Sequence, residues 1–181
     1  RRIETDCLVV KDGSEIAPRI VAAVDGSLQS FAGVKTALML ARGLRATVEA
    51  VAAFDPDFHA TAFRGLKGVL SDEAGEVFHV NEQEHLHEQI IDSGMAKIYR
   101  GHLETAQAIA DDEGVEIKTT LVAGKPYRAI LEHLHRCAAT LLVVGRVGIH
   151  ADAELDVGSN TENLLRLAPC NILISAGPPS S

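Results

Sequence analysis

The chain has 181 residues, of which 46% are hydrophobic and 23% charged, and its formal net charge is −8. This length and composition predict one globular domain with a substantial core. Its aromatic residues are five Phe and two Tyr, with no Trp. Nucleic-acid binding is therefore disfavoured, because the chain offers neither a basic face nor stacking platforms. A bound nucleotide base would have to be held by aliphatic side chains and backbone.

The sequence also argues against a membrane protein and against a disulfide scaffold. No apolar run approaches the roughly 18–20 residues that span a bilayer, and no signal-peptide core follows the charged start. The three cysteines, Cys7, Cys137 and Cys170, are widely separated, which favours a reducing, cytoplasmic location. Apolar surroundings predict that Cys137 and Cys170 are buried and inert. The absence of an initial Met leaves open that the chain is one module of a larger protein.

Apolar runs alternate with helical patterns along most of the chain. The predicted strands are residues 19–24, 47–54, 115–123, 141–144 and 170–175. The predicted helices are residues 27–44, 81–113, 126–137 and 159–167. The second helix is expected to bury a face formed by Leu86, Ile90, Met95, Ile98, His102, Ala106 and Ile109. This order predicts an α/β fold, a doubly wound five-stranded parallel sheet with helices on both faces.

Three segments fall outside this regular pattern. Residues 1–18 form an N-terminal extension, in which residues 7–10 are a candidate for an added edge strand. Residues 57–82 have scattered glycines and no sustained period, which indicates an insertion between the second strand and the second helix. The main domain is expected to span residues 19–176, and residues 177–181 a tail.

A glycine-rich connection joins the fourth predicted strand to the last helix. Gly145 and Gly148 follow the strand, and Gly158 and Ser159 come after nine intervening residues, at the helix start. Open α/β sheets bind ligands in the crevice at the carboxyl ends of their strands. Glycines let the backbone approach a phosphate, and the free amides of a helix start favour an anion. These residues alone leave open an ordinary strand-to-helix connection.

The spacing Gly-x2-Gly-x9-Gly-Ser resembles the nucleotide-binding pattern of the universal stress protein family, in its ATP-binding subgroup. Residues 20–27 (Ile-Val-Ala-Ala-Val-Asp-Gly-Ser) and the sequence of residues 158–175 match as well. The resemblance covers residues 19–175 apart from the insertion. It implies a Rossmann-like, adenine nucleotide alpha-hydrolase-like fold and a stress-response or regulatory module. It also implies binding of ATP, or of AMP or ADP, with Mg²⁺.

The resemblance further implies a set of binding residues. Asp25 is expected at the nucleoside end, together with Gly26 and Ser27 of the same motif, and the backbone at Ala53 is expected to recognise adenine. The phosphates are assigned to Gly145, Arg146, Gly148, Gly158, Ser159 and Asn160, and Val144 is a further expected binding residue. Asp25 is equally well explained as a helix-capping residue. No catalytic residue and no metal ligand is assigned.

Several residues depart from the family pattern or from enzyme motifs. The loop residues Asp152, Glu154 and Asp156 would repel a triphosphate unless Mg²⁺ intervenes, or they form a solvated loop that points away. Asn171 replaces the proline that often follows Cys170 in the family. Family loops often carry a polar residue after the first glycine and then a basic or polar one, whereas this chain has Arg146 and then Val147. The chain has no Gly-x4-Gly-Lys-[Ser/Thr] loop. His150 is the only candidate base, so slow or no hydrolysis is expected.

Two histidine pairs, His85 with His87 and His133 with His135, invite comparison with metal sites. Residues two apart on a helix point about 200° apart, so neither pair can chelate as residues at i and i+4 do. The sequence therefore predicts solvated or partly buried histidines and no metal site.

The resemblance implies a homodimer that pairs residues 170–175, the last strand, across a two-fold axis. The apolar character of that strand suits an exposed edge. The insertion at residues 57–82 would act as a lid or enlarge the dimer contact. The alternative function is a nucleotide-free dimerisation or protein-interaction module, as in family members that lack the glycine pattern. No nucleic acid or membrane partner is expected, and a protein partner stays unknown.

Overall fold

A computed structural model describes residues 5–11, 18–56, 80–149 and 157–177, with the backbone alone described for residues 80–93. The strands are β1 (Cys7–Val9), β2 (Arg19–Ala23), β3 (Thr47–Phe54), β4 (Ile117–Ala123), β5 (Leu141–Gly145) and β6 (Asn171–Ser175). The helices are α1 (Leu28–Leu44), α2 (Val80–Asp112), α3 (Pro126–Cys137) and α4 (Ser159–Leu167). The three-layer α/β/α fold is confirmed. All nine elements that the sequence predicted are present.

The strands form one sheet of six in the order β1-β6-β5-β2-β3-β4. Five of them, from β6 to β4, run parallel, whereas β1 pairs antiparallel with β6. The predicted count of five strands is therefore one too low, because the short candidate at residues 7–10 does join the sheet. Its three residues carry too little periodicity for a firm prediction.

Two apolar layers cover the sheet, one on each face. Ile20 and Ala22 of β2 pack with α1 and α2, whereas Val21 packs with α3 and α4 on the opposite face. The alternation follows from the period of two in a strand. A strand buried on both faces must be apolar throughout, which is why the sequence of β2 reads as a continuous apolar run.

The last strand is not an open edge. Residues Cys7 to Val9 pair with Ile174 to Ile172 in antiparallel register. Asp6 Oδ1 accepts a hydrogen bond from Ala176 N at 3.0 Å, and Lys11 N donates to Asn171 Oδ1 at 2.9 Å. Asn171 thus has a structural role that a proline side chain would not supply. The expectation that the edge of the last strand is available for pairing is wrong, and dimerisation itself stays a prediction.

Helix α2 buries a face that overlaps the predicted one only in part: Ala106 is buried as predicted, and the side chains of Leu86 and Ile90 lie outside the described residues. Ile98 is 55% exposed, whereas Ala96, Leu103, Ala106 and Ala110 are buried against the sheet. The prediction placed mainly large apolar side chains on the buried face. The observed face is rich in alanine, whose small side chains let the helix lie close to the sheet.

The thiols differ in burial. Cys170 is buried, and Cys7 and Cys137 are partly exposed. Burial raises the pKa of Cys170 to about 11, with smaller effects from neighbouring groups, so its thiol stays neutral near pH 7. The predicted inert thiol is confirmed for Cys170, but Cys137 is more accessible than expected.

Some predictions lie outside the described residues. They concern residues 57–79 of the insertion, His150, the acidic residues 152, 154 and 156, and most of the tail. Among the helices of the described part, none is long and apolar enough to cross a membrane.

Candidate functional site

A cavity of about 380 Å³ lies at the carboxyl ends of the central strands β2 and β5. These strands are neighbours in the sheet, but the chain leaves them in opposite directions. After β2 it continues to β3 and β4 on one side, and after β5 it continues to β6 on the other side. Ligands of doubly wound folds bind at such a reversal, where the loops after two adjacent strands diverge and leave a crevice. The volume falls within the range of small-molecule sites.

Most of the residues that the sequence assigned to nucleotide binding meet at this cavity. Its lining includes Asp25, Ala53, Val144, Gly145, Gly148, Gly158, Ser159 and Asn160. Gly26, Ser27 and Arg146 do not line it. Ser27 caps helix α1 by accepting a hydrogen bond from Ser30 N at 3.1 Å, and the side chain of Arg146 is buried.

The carboxylate of Asp25 joins two loops at the cavity. Its Oδ1 accepts a hydrogen bond from Ser27 N at 3.0 Å, and its Oδ2 accepts one from Ile149 N at 3.1 Å. The first bond is the turn-forming contact expected of an Asp before a helix. The second bond links the end of β2 to the glycine loop after β5. Asp25 therefore has both a local structural role and a position on the cavity wall.

Two of the glycines are required by close approaches. A side chain at Gly148 would bring its Cβ within 2.7 Å of Asp25 Oδ2. Gly26 has a φ of +90°, and a Cβ there would lie 2.4 Å from Cε1 of His102. The first glycine lets the loop reach the carboxylate, whereas the second allows a left-handed turn beneath the imidazole of α2.

The start of helix α4 forms the polar end of the cavity. Gly158 is the N-cap and has no side chain to accept hydrogen bonds from the first turn. The first intrahelical backbone bond runs from Glu162 N to Gly158 O at 2.9 Å, so the three preceding amides have no carbonyl within the helix to bond. Thr161 Oγ1 donates to Gly145 O at 2.8 Å and fixes this helix start beside the end of β5.

The opposite wall is apolar and includes residues that the sequence analysis missed. Ile130 of α3 and Leu164 of α4 line it, and Tyr99 of α2 adds an aromatic ring. The centroid of the Tyr99 ring lies 5.5 Å from that of His102, in an edge-to-face arrangement, and 6.3 Å from that of Phe54. One of only two tyrosines in the chain thus reaches the cavity, so an aromatic ring is available beside the aliphatic wall.

The electrostatic surroundings of Tyr99 keep its hydroxyl group protonated. Partial burial raises its pKa above the ordinary tyrosine value, and the negative charges of Asp25 and Asp55 raise it further. A neutral phenol can donate a hydrogen bond to a ligand. The cavity therefore combines apolar walls, one neutral phenol and the positive end of a helix.

Comparison with known proteins identifies the family. The model of the universal stress protein family matches residues 17–175. The chain belongs to this family. A relative, universal stress protein MJ0531 of Methanocaldococcus jannaschii, is 25% identical over 170 residues, which cover 94% of this chain and 88% of that protein.

Solved structures of the same family share the fold. A universal stress protein in complex with cAMP has a TM-score of 0.59 and 23% identity, and the match covers 89% of this chain and 98% of that one. The universal stress protein from Archaeoglobus fulgidus in complex with dAMP has a TM-score of 0.55 and 20% identity, with coverage of 88% and 98%.

Proposed function

We propose that this universal stress protein domain binds an adenine nucleotide, ATP with Mg²⁺ foremost, in the cavity at the ends of β2 and β5, and acts as a regulatory module in a stress response. The observation that carries the proposal is the meeting of the glycine loop with the start of helix α4. Gly145, Gly148, Gly158 and Ser159 all line one cavity beside an apolar wall.

The phosphates would lie at the start of α4. The amides of its first turn and the positive end of its dipole favour anions. Ser159 and Asn160 are exposed there, so their side chains are available as further donors. Mg²⁺ would offset the repulsion between the phosphates and the surplus of carboxylates in a chain of net charge −8.

The adenosine end would lie against the apolar wall near β3. Val24 N donates to Val51 O at 2.8 Å, and the backbone of Ala53 lies two residues further on the same side of β3. Alternate residues of a strand direct their backbone N–H and C=O groups to the same side. The backbone groups of Ala53 therefore point to the same side as Val51 O, past the end of β2, where the cavity lies. Tyr99 offers a ring for contact with the base, and Asp25 an acceptor for a ribose hydroxyl.

Related structures support the proposal, and a missing motif bears on whether the bound nucleotide is hydrolysed. Family members of the same fold have been crystallised with cAMP and with dAMP, both adenine nucleotides. Slow or no hydrolysis is expected, since the chain has no P-loop lysine to stabilise charge on a departing phosphate.

The decisive experiment adds a negative charge at the start of α4. Ser159→Asp places a carboxylate where the phosphates would bind, while the same charge interacts favourably with the helix dipole. We expect MgATP affinity, measured by calorimetry on the purified chain, to fall at least about tenfold, which corresponds to about 1.4 kcal/mol. Adenosine affinity should stay within about twofold, because adenosine has no phosphate. The midpoint of thermal unfolding without ligand should not fall.

Asn163→Asp is the matched control, because it adds the same charge to α4 at a residue that does not line the cavity. It should leave both affinities unchanged. If MgATP, ADP and AMP all fail to bind the wild-type chain, the proposal is wrong. Equal losses for ATP and adenosine in Ser159→Asp would also contradict it, since the phosphates would then not lie at α4.

A further inference from the structure

A second group of polar side chains lies at the other end of β3, away from the cavity. Glu49 is only 5% exposed although it carries a carboxylate, and His133 of α3 is 6% exposed. His133 Nε2 lies 3.0 Å from Glu49 Oε1. Cys137 follows His133 by one helical turn and is partly exposed. One ligand atom from each of these three residues lies within 4.8 Å of the other two.

The imidazole of His133 contributes a buried nitrogen to this cluster, and this nitrogen forms no hydrogen bond with any described residue. Although its Nε2 is close to Glu49 Oε1, it is buried and forms no hydrogen bond of acceptable geometry with any described residue. Burying a nitrogen without a hydrogen bond destabilises the folded state, because its hydrogen bonds with water are lost and not replaced. Native structures rarely leave such a group unsatisfied without a ligand, ion or water to bond it.

Glu49 is held as a carboxylate by its other neighbours. Thr120 Oγ1 donates to its Oε1 at 2.6 Å, and Lys118 Nζ lies 3.1 Å from the same oxygen. Burial alone would raise the pKa of Glu49, but these hydrogen bonds and the charges of His133 and Lys118 outweigh it, so the pKa is lowered. The Lys118 side chain is 69% exposed, so its cation can move into water and leave the carboxylate to another cation.

We propose that Glu49, His133 and Cys137 form a site for a divalent transition-metal ion, zinc foremost, with a fourth position left to solvent. His133 and Cys137 are at i and i+4, the spacing at which two side chains of one helix reach the same point. Zinc accepts nitrogen, sulfur and oxygen ligands at about 2.0–2.3 Å, so modest side-chain rotations bring the three atoms to one ion. Cys137 is partly exposed and Lys118 is exposed, so solvent can reach the site on their side.

The donor set selects the metal class. One thiolate and one imidazole favour zinc over the hard ions magnesium and calcium, which prefer oxygen ligands. Thr120 is the positioning residue, because its hydroxyl orients the carboxylate that would bind the metal. The other histidine of this helix, His135, is exposed and takes no part in the cluster.

The test uses the purified, tag-free chain with its thiols kept reduced, titrated with CoCl2 as a spectroscopic probe and with ZnCl2 in calorimetry. Cobalt should bind one per chain, with a near-ultraviolet sulfur-to-cobalt charge-transfer band. His133→Gln and Cys137→Ser should each weaken zinc affinity at least about a hundredfold. Loss of an outer-shell partner costs about 10–100-fold, and loss of a direct ligand should cost at least as much as the upper end of that range. Cys137→Ser should also abolish the charge-transfer band. Thr120→Val should weaken affinity about 10–100-fold.

His135→Gln and Cys7→Ser are matched controls of the same residue types outside the cluster, and both should bind zinc like the wild type. The unfolding midpoint of each variant without metal shows whether it folds. Cys137→Ser keeps the proposal testable if His133→Gln does not fold, since Cys137 is only partly buried. The proposal is wrong if neither cobalt nor zinc binds the wild-type chain. It is also wrong if zinc affinity is lost in His135→Gln or Cys7→Ser but retained in Cys137→Ser.

Discussion

At the scale of single residues, the contact between Asp25 and the glycine loop lies at the wall of the cavity that is proposed to bind a nucleotide. Gly148→Ala would place a Cβ 2.7 Å from Asp25 Oδ2, and the carboxylate must move away from Ile149 N. We expect the free energy of unfolding to fall by about 1.5–3 kcal/mol, the contribution of a hydrogen bond to a charged group. MgATP affinity should fall at least about tenfold because the loop is displaced. Urea denaturation and calorimetry measure the two effects.

Gly43→Ala provides the control for this substitution. Gly43 lies near the end of α1, and a Cβ there meets nothing within 4 Å. The change should raise the free energy of unfolding by up to about 1 kcal/mol, because alanine is the better helix former, and should leave MgATP affinity unchanged. Unaltered nucleotide affinity in Gly148→Ala would show that the Asp25–loop contact is not part of the binding state.

The residues of the cavity differ in how far the sequence reveals them. Gly145, Gly148, Gly158 and Ser159 could be found because a fixed spacing ties them to a strand end and a helix start. Tyr99 could not, since α2 reaches the cavity only through tertiary packing. Glu49 is recognisable in the sequence as a lone carboxylate within the largely apolar strand β3. Its partners lie about 70–85 residues away in sequence, so the sequence alone does not show that they meet.

At the scale of elements, β1 protects the edge of β6. Deletion of residues 1–11 would remove the antiparallel pairing and leave the hydrogen-bonding groups along one side of β6 unpaired. We expect the free energy of unfolding to fall by about 2–4 kcal/mol, from several hydrogen bonds worth about 0.5–1.5 kcal/mol each. The truncated chain should also self-associate with rising concentration, because its open edge can pair with another copy. Analytical ultracentrifugation measures this association.

Val10→Lys is the control for the deletion. Val10 is 64% exposed and follows the last paired residue of β1, so the substitution changes surface polarity while keeping the strand in place. It should leave both stability and association unchanged. A truncated chain with the same association behaviour as the full chain would show that β1 does not govern access to the β6 edge.

The elements themselves were predictable to different degrees. The central strands β2 and β5 have continuous apolar runs because both of their faces are buried, whereas β4 at the sheet edge includes polar residues such as Lys118 and Thr120. Strand β1 has only three residues, and its pairing depends on contacts at its ends, such as Asp6 with Ala176 and Lys11 with Asn171. The buried face of α2 was predicted only in part, because packing distance, which residue hydrophobicity does not report, favours alanine there.

At the scale of the whole molecule, strand β3 connects the two proposed sites. Ala53 lines the nucleotide cavity, and Glu49 lies in the proposed metal cluster on the same face of the strand. Four residues at about 3.3 Å each separate them by about 13 Å. The apolar side chains of Val51 and its neighbours fill the space between, and no shared polar network among the described residues connects the sites. This arrangement favours independent binding.

Independent sites predict additive stabilisation. A ligand at about 100 times its dissociation constant raises the free energy of unfolding by about 2.7 kcal/mol. MgATP and zinc together should therefore raise it by about 5.4 kcal/mol, with a deviation of at most about 0.5 kcal/mol, as for distant sites without shared partners. Urea denaturation with each ligand alone and with both measures the sum. Ser159→Asp should lose only the nucleotide increment and His133→Gln only the zinc increment. A deviation above about 1 kcal/mol would contradict independence and indicate that β3 transmits one binding event to the other.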